Sequence, residues 1–391
     1  MMLLNLIKIL GPTVLLLELA SPSLALEVQE RTKSMAEVRA QMHAPLSAEQ
    51  AFQLRAQIVR TRYDEDLQLL RTRSESGSME GILRQLRGGD ILLVRTTSLT
   101  GSIAARSAEV PGQFSHLILI AEDPATHELN AIQSDQSKGL SVNKVAPSLF
   151  AEYVRMGLFR FAQPGLAKAA AGKLLAKVQS RLREGPIRYD NKMDIEDSSA
   201  IYCTEVATWA FNTVGLRVPA RLSKVRFLSA PLREELGIGT DEIFTPQDLE
   251  VDPRFTLVKE WRDLSHLQEL YQVDAVFGKY LTWLADGTEQ LHPGFVNKLA
   301  VSAVGSVFAG KIASMIGENP GDRQRVMQLM KYSLSMYATV STYQAALQKE
   351  LRTVDTRFFK EADYEEILER LRRENRLQGQ LDPADDVYYG R

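Results

Sequence analysis

Ile201-Tyr202-Cys203-Thr204-Glu205-Val206-Ala207-Thr208-Trp209-Ala210-Phe211 carries the only cysteine in a chain of 391 residues. Polar, turn-forming residues from Asp194 to Ser199 precede it. The residues after it have the spacing of a helix that ends at Gly215, a residue suited to terminating one. Cys203 is therefore expected at or near a helix N-terminus. There the helix dipole and free N–H groups favour a thiolate, and a thiol pKa can fall from about 8.5 to between roughly 3.5 and 7.5. Ala207, Ala210 and Val214 share its helical face, which predicts an inward-pointing side chain. Two readings follow: an activated nucleophile, or a small buried structural residue.

The composition narrows the choice. Charged residues make up 25% and hydrophobic ones 45%, as in an ordinary globular protein with a core. A net charge of −2 gives no sign of a nucleic-acid partner. A single cysteine excludes an internal disulfide framework and a multi-cysteine zinc site. The five histidines lack metal-ligand spacing, and no phosphate-binding glycine loop is present. No cofactor is implied.

The chain opens with Lys8, an apolar run from Ile9 to Leu19 and the small-x-small triplet Ser23-Leu24-Ala25. This pattern predicts a signal peptide over 1–25, and a bacterial protein that is periplasmic or secreted. An unpaired thiol is a liability in an oxidising compartment unless it is buried or used, which favours a functional Cys203. Residues 27–87 have helical periodicity, with a break and new helix start at Pro45-Leu46-Ser47-Ala48-Glu49 and a linker from Ser74 to Ser78. Arg and Glu fill the faces left by the apolar positions, as in a helical hairpin packed on another body.

At Gly88-Gly89-Asp90 the pattern changes to short strands. Ile91 to Arg95 is one, and Leu117 to Ile120 another, with His116 at its start. Leu129 to Gln133, Gly139 to Val142 and Tyr153 to Phe161 follow, then a helix from Pro164 to Arg183. Strands followed by helices predict an α+β domain.

Gly89-Asp90-Ile91-Leu92, Ser115-His116, Tyr189-Asp190 and Tyr202-Cys203-Thr204-Glu205, in that order, resemble the permuted papain-like amidases called YiiX-like. These are circularly permuted relatives of the NlpC-type cell-wall peptidases. Thr245-Pro246-Gln247-Asp248-Leu249 resembles the segment that closes such domains, so the resemblance covers roughly 84–262. It implies a permuted papain-like catalytic domain there, flanked by helical regions at 26–83 and 263–391. It also implies a cysteine hydrolase of small amide, peptide or peptidoglycan-fragment substrates.

The chemistry needs a thiolate nucleophile, an imidazole base, a group that orients the imidazole, and oxyanion donors. The resemblance assigns Cys203 and His116 to the first two roles. It places the orienting group on the next strand, where the family often has a glutamate and this chain has Gln133. Asp135 lies two residues on and shares its strand face. The resemblance gives Tyr189 the task of polarising the carbonyl, alongside the backbone N–H of Cys203. Ser102 and Ser115 are further candidates for the cleft. A thiol enzyme acting on lipid acyl groups, and a non-catalytic protein that keeps the fold, are the alternatives. Toward the C-terminus, Leu264 to Leu284, Asp322 to Leu351 and Glu361 to Arg376 are predicted helices. Leu299 to Ile316 is the most apolar segment, read as a buried helix or a membrane contact.

Overall fold

The computed structural model describes residues 47–72, 78–106, 108–136, 138–190, 193, 195, 199–225, 241–285, 339–374 and 377. The expected signal peptide and the stretch Leu299 to Ile316 lie outside the described residues. The elements are α1 (Ala48–Thr72), α2 (Met79–Leu83), β1 (Ile91–Arg95), α3 (Leu99–Arg106), β2 (His116–Glu122), β3 (Leu129–Asp135), β4 (Gly139–Lys144), a 3₁₀ turn (Pro147–Phe150) and β5 (Arg155–Phe161). They continue as α4 (Pro164–Glu184), α5 (Glu205–Asn212), β6 (Ser223–Lys224), β7 (Glu242–Ile243), α6 (Pro246–Glu250), β8 (Phe255–Arg262), α7 (Leu267–Ala285) and α8 (Glu361–Arg373). Residues 339–351 are also helical. The protein is an α+β molecule.

Six strands form an antiparallel sheet in the order β4-β3-β2-β1-β5-β8. Alternation along each strand divides its side chains between two faces. Ile91, Leu93, Leu117, Leu119, Ile132 and Phe159 turn to one face, where α4 and α5 cover them with Ala170, Leu174, Val206 and Ala210. Leu92, Val94, Ile118, Ile120, Ala131 and Leu158 turn to the other, beneath Ile82 of α2 and Phe150 of the 3₁₀ turn. Because both faces are covered, the central strands are continuous apolar runs. Burial of such side chains stabilises by about 1.5–3 kcal/mol each. The outer strand β8 was not among the sequence expectations; it pairs with β5 from Phe161↔Phe255 to Arg155↔Arg262.

The Gly89-Asp90 turn shows why the early motif has its composition. Gly89 has φ +93°, and a Cβ there would lie 2.5 Å from the backbone of Ala167. Its close approach seats the start of β1 under α4. Asp90 accepts from Arg87 N (2.9 Å) and from Arg160 Nη2 (2.7 Å), linking that turn to β5. The Gly-Asp motif is thus architectural.

The helical flanks reach the same body. Ser47 and Gln50 form a reciprocal cap at the start of α1, with Ser47 N to Gln50 Oε1 at 2.8 Å and Gln50 N to Ser47 Oγ at 3.1 Å. Helical spacing aligns Arg55, Arg62 and Asp66 on one side of α1. All three are buried, contrary to the expectation that the charges of this region fill its outer faces. Arg55 pairs with Asp248 (2.7 Å), and Arg62 pairs with Glu250 (2.6 Å) and Glu260 (3.1 Å). Asp66 takes Arg155 and Arg262, the latter at 2.7 Å. Farther along, Asp274 of α7 takes Arg95 of β1 and, at 2.8 Å, Arg106 of α3; Arg106 also reaches Glu361 of α8 at 2.7 Å. A separate aromatic core joins α7, residues 339–351 and α8 through Phe277, Tyr280, Trp283, Tyr343, Tyr364 and Leu368.

Candidate active site

Cys203 sits in the turn just before α5, with Thr204 at the cap position, rather than inside the helix. Its neighbours are pinned on all sides. Tyr202 N donates to Glu205 Oε2 (2.8 Å), Thr204 Oγ1 donates to Phe244 O (2.6 Å), and Phe244 N donates to the Tyr202 hydroxyl (3.1 Å). Upstream, Ile201 N donates to Arg188 O (3.0 Å), while Ser134 Oγ of β3 donates to Ile201 O (2.7 Å). These bonds set the cysteine turn beside both Tyr189 and the end of β3.

His116 opens β2 on the face shared with Ile118 and Ile120, and Gln133 occupies the Ala131 face of β3. The β2–β3 register pairs Leu119 with Ile132. Continued to the strand ends, it sets His116 opposite Asp135 and diagonal to Gln133, within reach across a pair of strands. The hydrogen bond goes to Gln133: His116 Nε2 lies 2.9 Å from Gln133 Oε1. An amide oxygen only accepts, so Nε2 carries the proton and Nδ1 keeps its lone pair. Asp135 acts on the ring through its charge, as does exposed Glu152.

The Tyr189 phenol hydrogen bonds the Cys203 sulfur and accepts from the Cys203 backbone N–H. The backbone N–H groups of Thr204 and Cys203 also point at the sulfur. These contacts favour a thiolate, but burial outweighs them and the thiol is pushed up to about 11. This corrects the expectation of a depressed thiol pKa. The donors of a helix start are present; desolvation by the residues packed around the half-buried thiol, with Glu205 nearby, opposes the negative charge. Burial likewise pulls the His116 imidazole below its ordinary value, against the hydrogen bond it donates to Gln133 and the charges of Asp135 and Glu152.

Tyr153 is the residue that sequence reading missed. It was expected as the first residue of a strand; instead it lies between the 3₁₀ turn and β5, on the His116 face of the sheet and 6% exposed. Its phenol is pushed up by burial and by the charges of Glu152, Asp135 and Cys203. Tyr153 therefore lies within electrostatic range of both the cysteine turn and the carboxylates around His116. Only the polar pair Glu152-Tyr153 ahead of a buried strand signals it in the sequence.

The two serines do not join this group through their hydroxyls. Ser102 Oγ accepts from Arg95 Nη2 (2.9 Å) within the buried ion network, and Ser115 Oγ donates to Val94 O (3.4 Å). Buried Asp190 follows Tyr189. Among the described residues, no group of three or more His, Cys, Asp or Glu side chains is placed to hold a metal ion. No helix among them is long and apolar enough to cross a membrane.

Two groups therefore lie at one end of an antiparallel sheet in an α+β protein: the half-buried Cys203 thiol with Tyr189, on the turn that Ser134 anchors, and the half-buried His116 imidazole held by Gln133. Tyr153 lies in electrostatic range of Cys203 and Asp135, and among the described residues no hydrogen bond or ion pair joins Cys203 to His116 directly. No protein-family model matches the chain, and no curated protein matches it. Among solved structures it is similar to the crystal structure of metalloprotein yiiX from Escherichia coli O157:H7, a DUF1105 protein and a distant structural neighbour. That similarity has 21% identity and a TM-score of 0.35, over 45% of this chain and 99% of that one.

Proposed function

We propose that the protein is a cysteine hydrolase of amide bonds in small peptide or cell-wall-derived substrates, built on a permuted papain-like domain. Cys203 is the nucleophile and His116 the general base. The observation that carries this reading is the bond from His116 Nε2 to Gln133 Oε1, which leaves Nδ1 as the basic nitrogen. The bond from Ser134 to Ile201 O brings the cysteine turn to the same strand. Nδ1 takes the thiol proton as sulfur attacks the carbonyl and returns it to the leaving amine; water then hydrolyses the acyl-enzyme. Gln133 holds the ring without adding charge. The Cys203 N–H is the oxyanion donor, once the carbonyl oxygen replaces the Tyr189 phenol that it now meets.

Labelling the full chain with an electrophilic amide probe tests this. Attachment at Cys203, lost in His116→Ala, is the expected result, and turnover of peptidoglycan fragments or acyl lipids then identifies the substrate. An inert Cys203, or labelling unchanged in His116→Ala, overturns the hydrolase reading in favour of a non-catalytic protein. We further place the protein outside the cytoplasm, on the apolar run and Ser23-Leu24-Ala25. Mass spectrometry of the natural protein should find Leu26 at its N-terminus; an intact Met1 in a cytosolic fraction would refute this.

A further inference from the structure

The outer surface of α4 has a charge bias that the rest of the chain opposes. Along this helix five exposed lysines and arginines (Lys168, Lys173, Lys177, Arg181 and Arg183) stand against one exposed carboxylate, Glu184, with Lys168 paired to Glu122 at 2.7 Å. The whole chain carries −2. Lys173, Lys177 and Arg181 recur at every fourth position, so they form one line along the helix. Exposed Ala169, Ala176 and Ser180 are the small residues along the same outer side. Lys177 Nζ stands 5.2 Å from the ring centre of half-buried Trp209 on α5, and Lys173 Nζ donates to Thr213 O (3.3 Å). Arg217 is exposed just beyond that turn.

We propose that this face docks on an anionic lipid surface. Lys173, Lys177 and Arg181 form a line about 12 Å long on this 21-residue helix. Cations spread along such a line match a plane of phosphates, and lysine stems beside a tryptophan suit the boundary between headgroups and acyl chains. The apolar side of α4 is already spent on the sheet through Leu174, Leu175 and Val178. Attachment is therefore peripheral and electrostatic, without insertion of the helix. The same two helices hold the candidate site, since α4 leads into the segment bearing Tyr189 and α5 starts just after Cys203. The docking proposal does not depend on catalysis by Cys203.

Flotation of the full chain with vesicles tests it, using phosphatidylcholine alone and phosphatidylcholine with about one third phosphatidylglycerol. Binding is expected only to the anionic vesicles, and should be abolished near 1 M salt, where the screening length is about 3 Å. The combined Lys173→Glu, Lys177→Glu and Arg181→Glu variant should bind at least about tenfold less. A second variant, Lys177→Glu with Arg181→Glu and Arg217→Glu, spares the Lys173 bond and should behave alike; circular dichroism confirms that each is folded. Equal binding to both vesicles, or variants that bind like the parent, would overturn the proposal. So would binding to a short oligonucleotide without binding to vesicles.

Discussion

A thiol pushed up to about 11 and an imidazole pulled below its ordinary value are both neutral near pH 7. A preformed thiolate–imidazolium pair is therefore disfavoured, and proton transfer during attack becomes the working mechanism. Alkylation of Cys203 by iodoacetamide, followed against pH, should give an apparent pKa above that of a free thiol. Tyr189→Phe removes a contact that favours the thiolate, so it should move that pKa higher still; an unchanged or lower value would show that Tyr189 does not act on the sulfur. Gln133 acts through the ring. Gln133→Ala should lower the acylation rate by less than the roughly 10²–10⁴-fold that losing the base itself entails. Gln133→Glu should keep the rate and shift the acidic limb of the pH profile upward, because a carboxylate raises the imidazole pKa. If Gln133→Ala matches the parent while Asp135→Ala is impaired, the ring is held by Asp135 instead.

The strands and turns that carry these side chains depend on close backbone approach. At Gly89 a side chain meets two obstacles at once: φ is +93°, and the α4 backbone leaves no room for a Cβ. Gly89→Ala should destabilise the fold by roughly 1–3 kcal/mol, read as a lowered thermal midpoint. Gly172, on α4 with open space around it, is the control; Gly172→Ala should be neutral or stabilising, since alanine is the better helix former. At α6, Thr245 and Asp248 form a reciprocal cap, with Thr245 N to Asp248 Oδ2 at 2.7 Å. Asp248 also accepts from Arg55 and Ser223, so this short helix serves as a junction between α1 and β6.

Across the molecule, buried ion pairs join both helical flanks to the sheet. Burial alone would raise the Glu260 carboxyl, but Arg262, Arg62 and Arg155 outweigh it and hold the group far below the usual carboxylate range. Such pairs add little net stability over an apolar core, whereas removing one member strands the others without a counter-charge. Asp66 meets Arg155, Arg262 and the Tyr271 hydroxyl, so it touches β5, β8 and α7 from α1. Asp66→Asn should destabilise by roughly 3–5 kcal/mol in urea unfolding. An unchanged midpoint would mean that the flanks are held by the apolar contacts alone.

The features legible in the sequence were those that depend on near neighbours. Ile91 to Arg95 is a strand with the expected bounds, and the helix from Pro164 ends one residue past its expected end. The two-residue alternation of a strand placed Gln133 and Asp135 on one face, and the turn signals before Tyr202 put Cys203 at a helix start. The tertiary structure alone decided which of that pair His116 would bond, because strand register sets the reach. It also decided the thiol's protonation, because desolvation comes from side chains gathered from distant segments. Arg62 and Glu260 are 198 residues apart in sequence, and nothing in a helical charge pattern announces that such an arginine will be buried. Local spacing encodes which face a residue shares; burial and counter-charge depend on what the folded chain brings against that face.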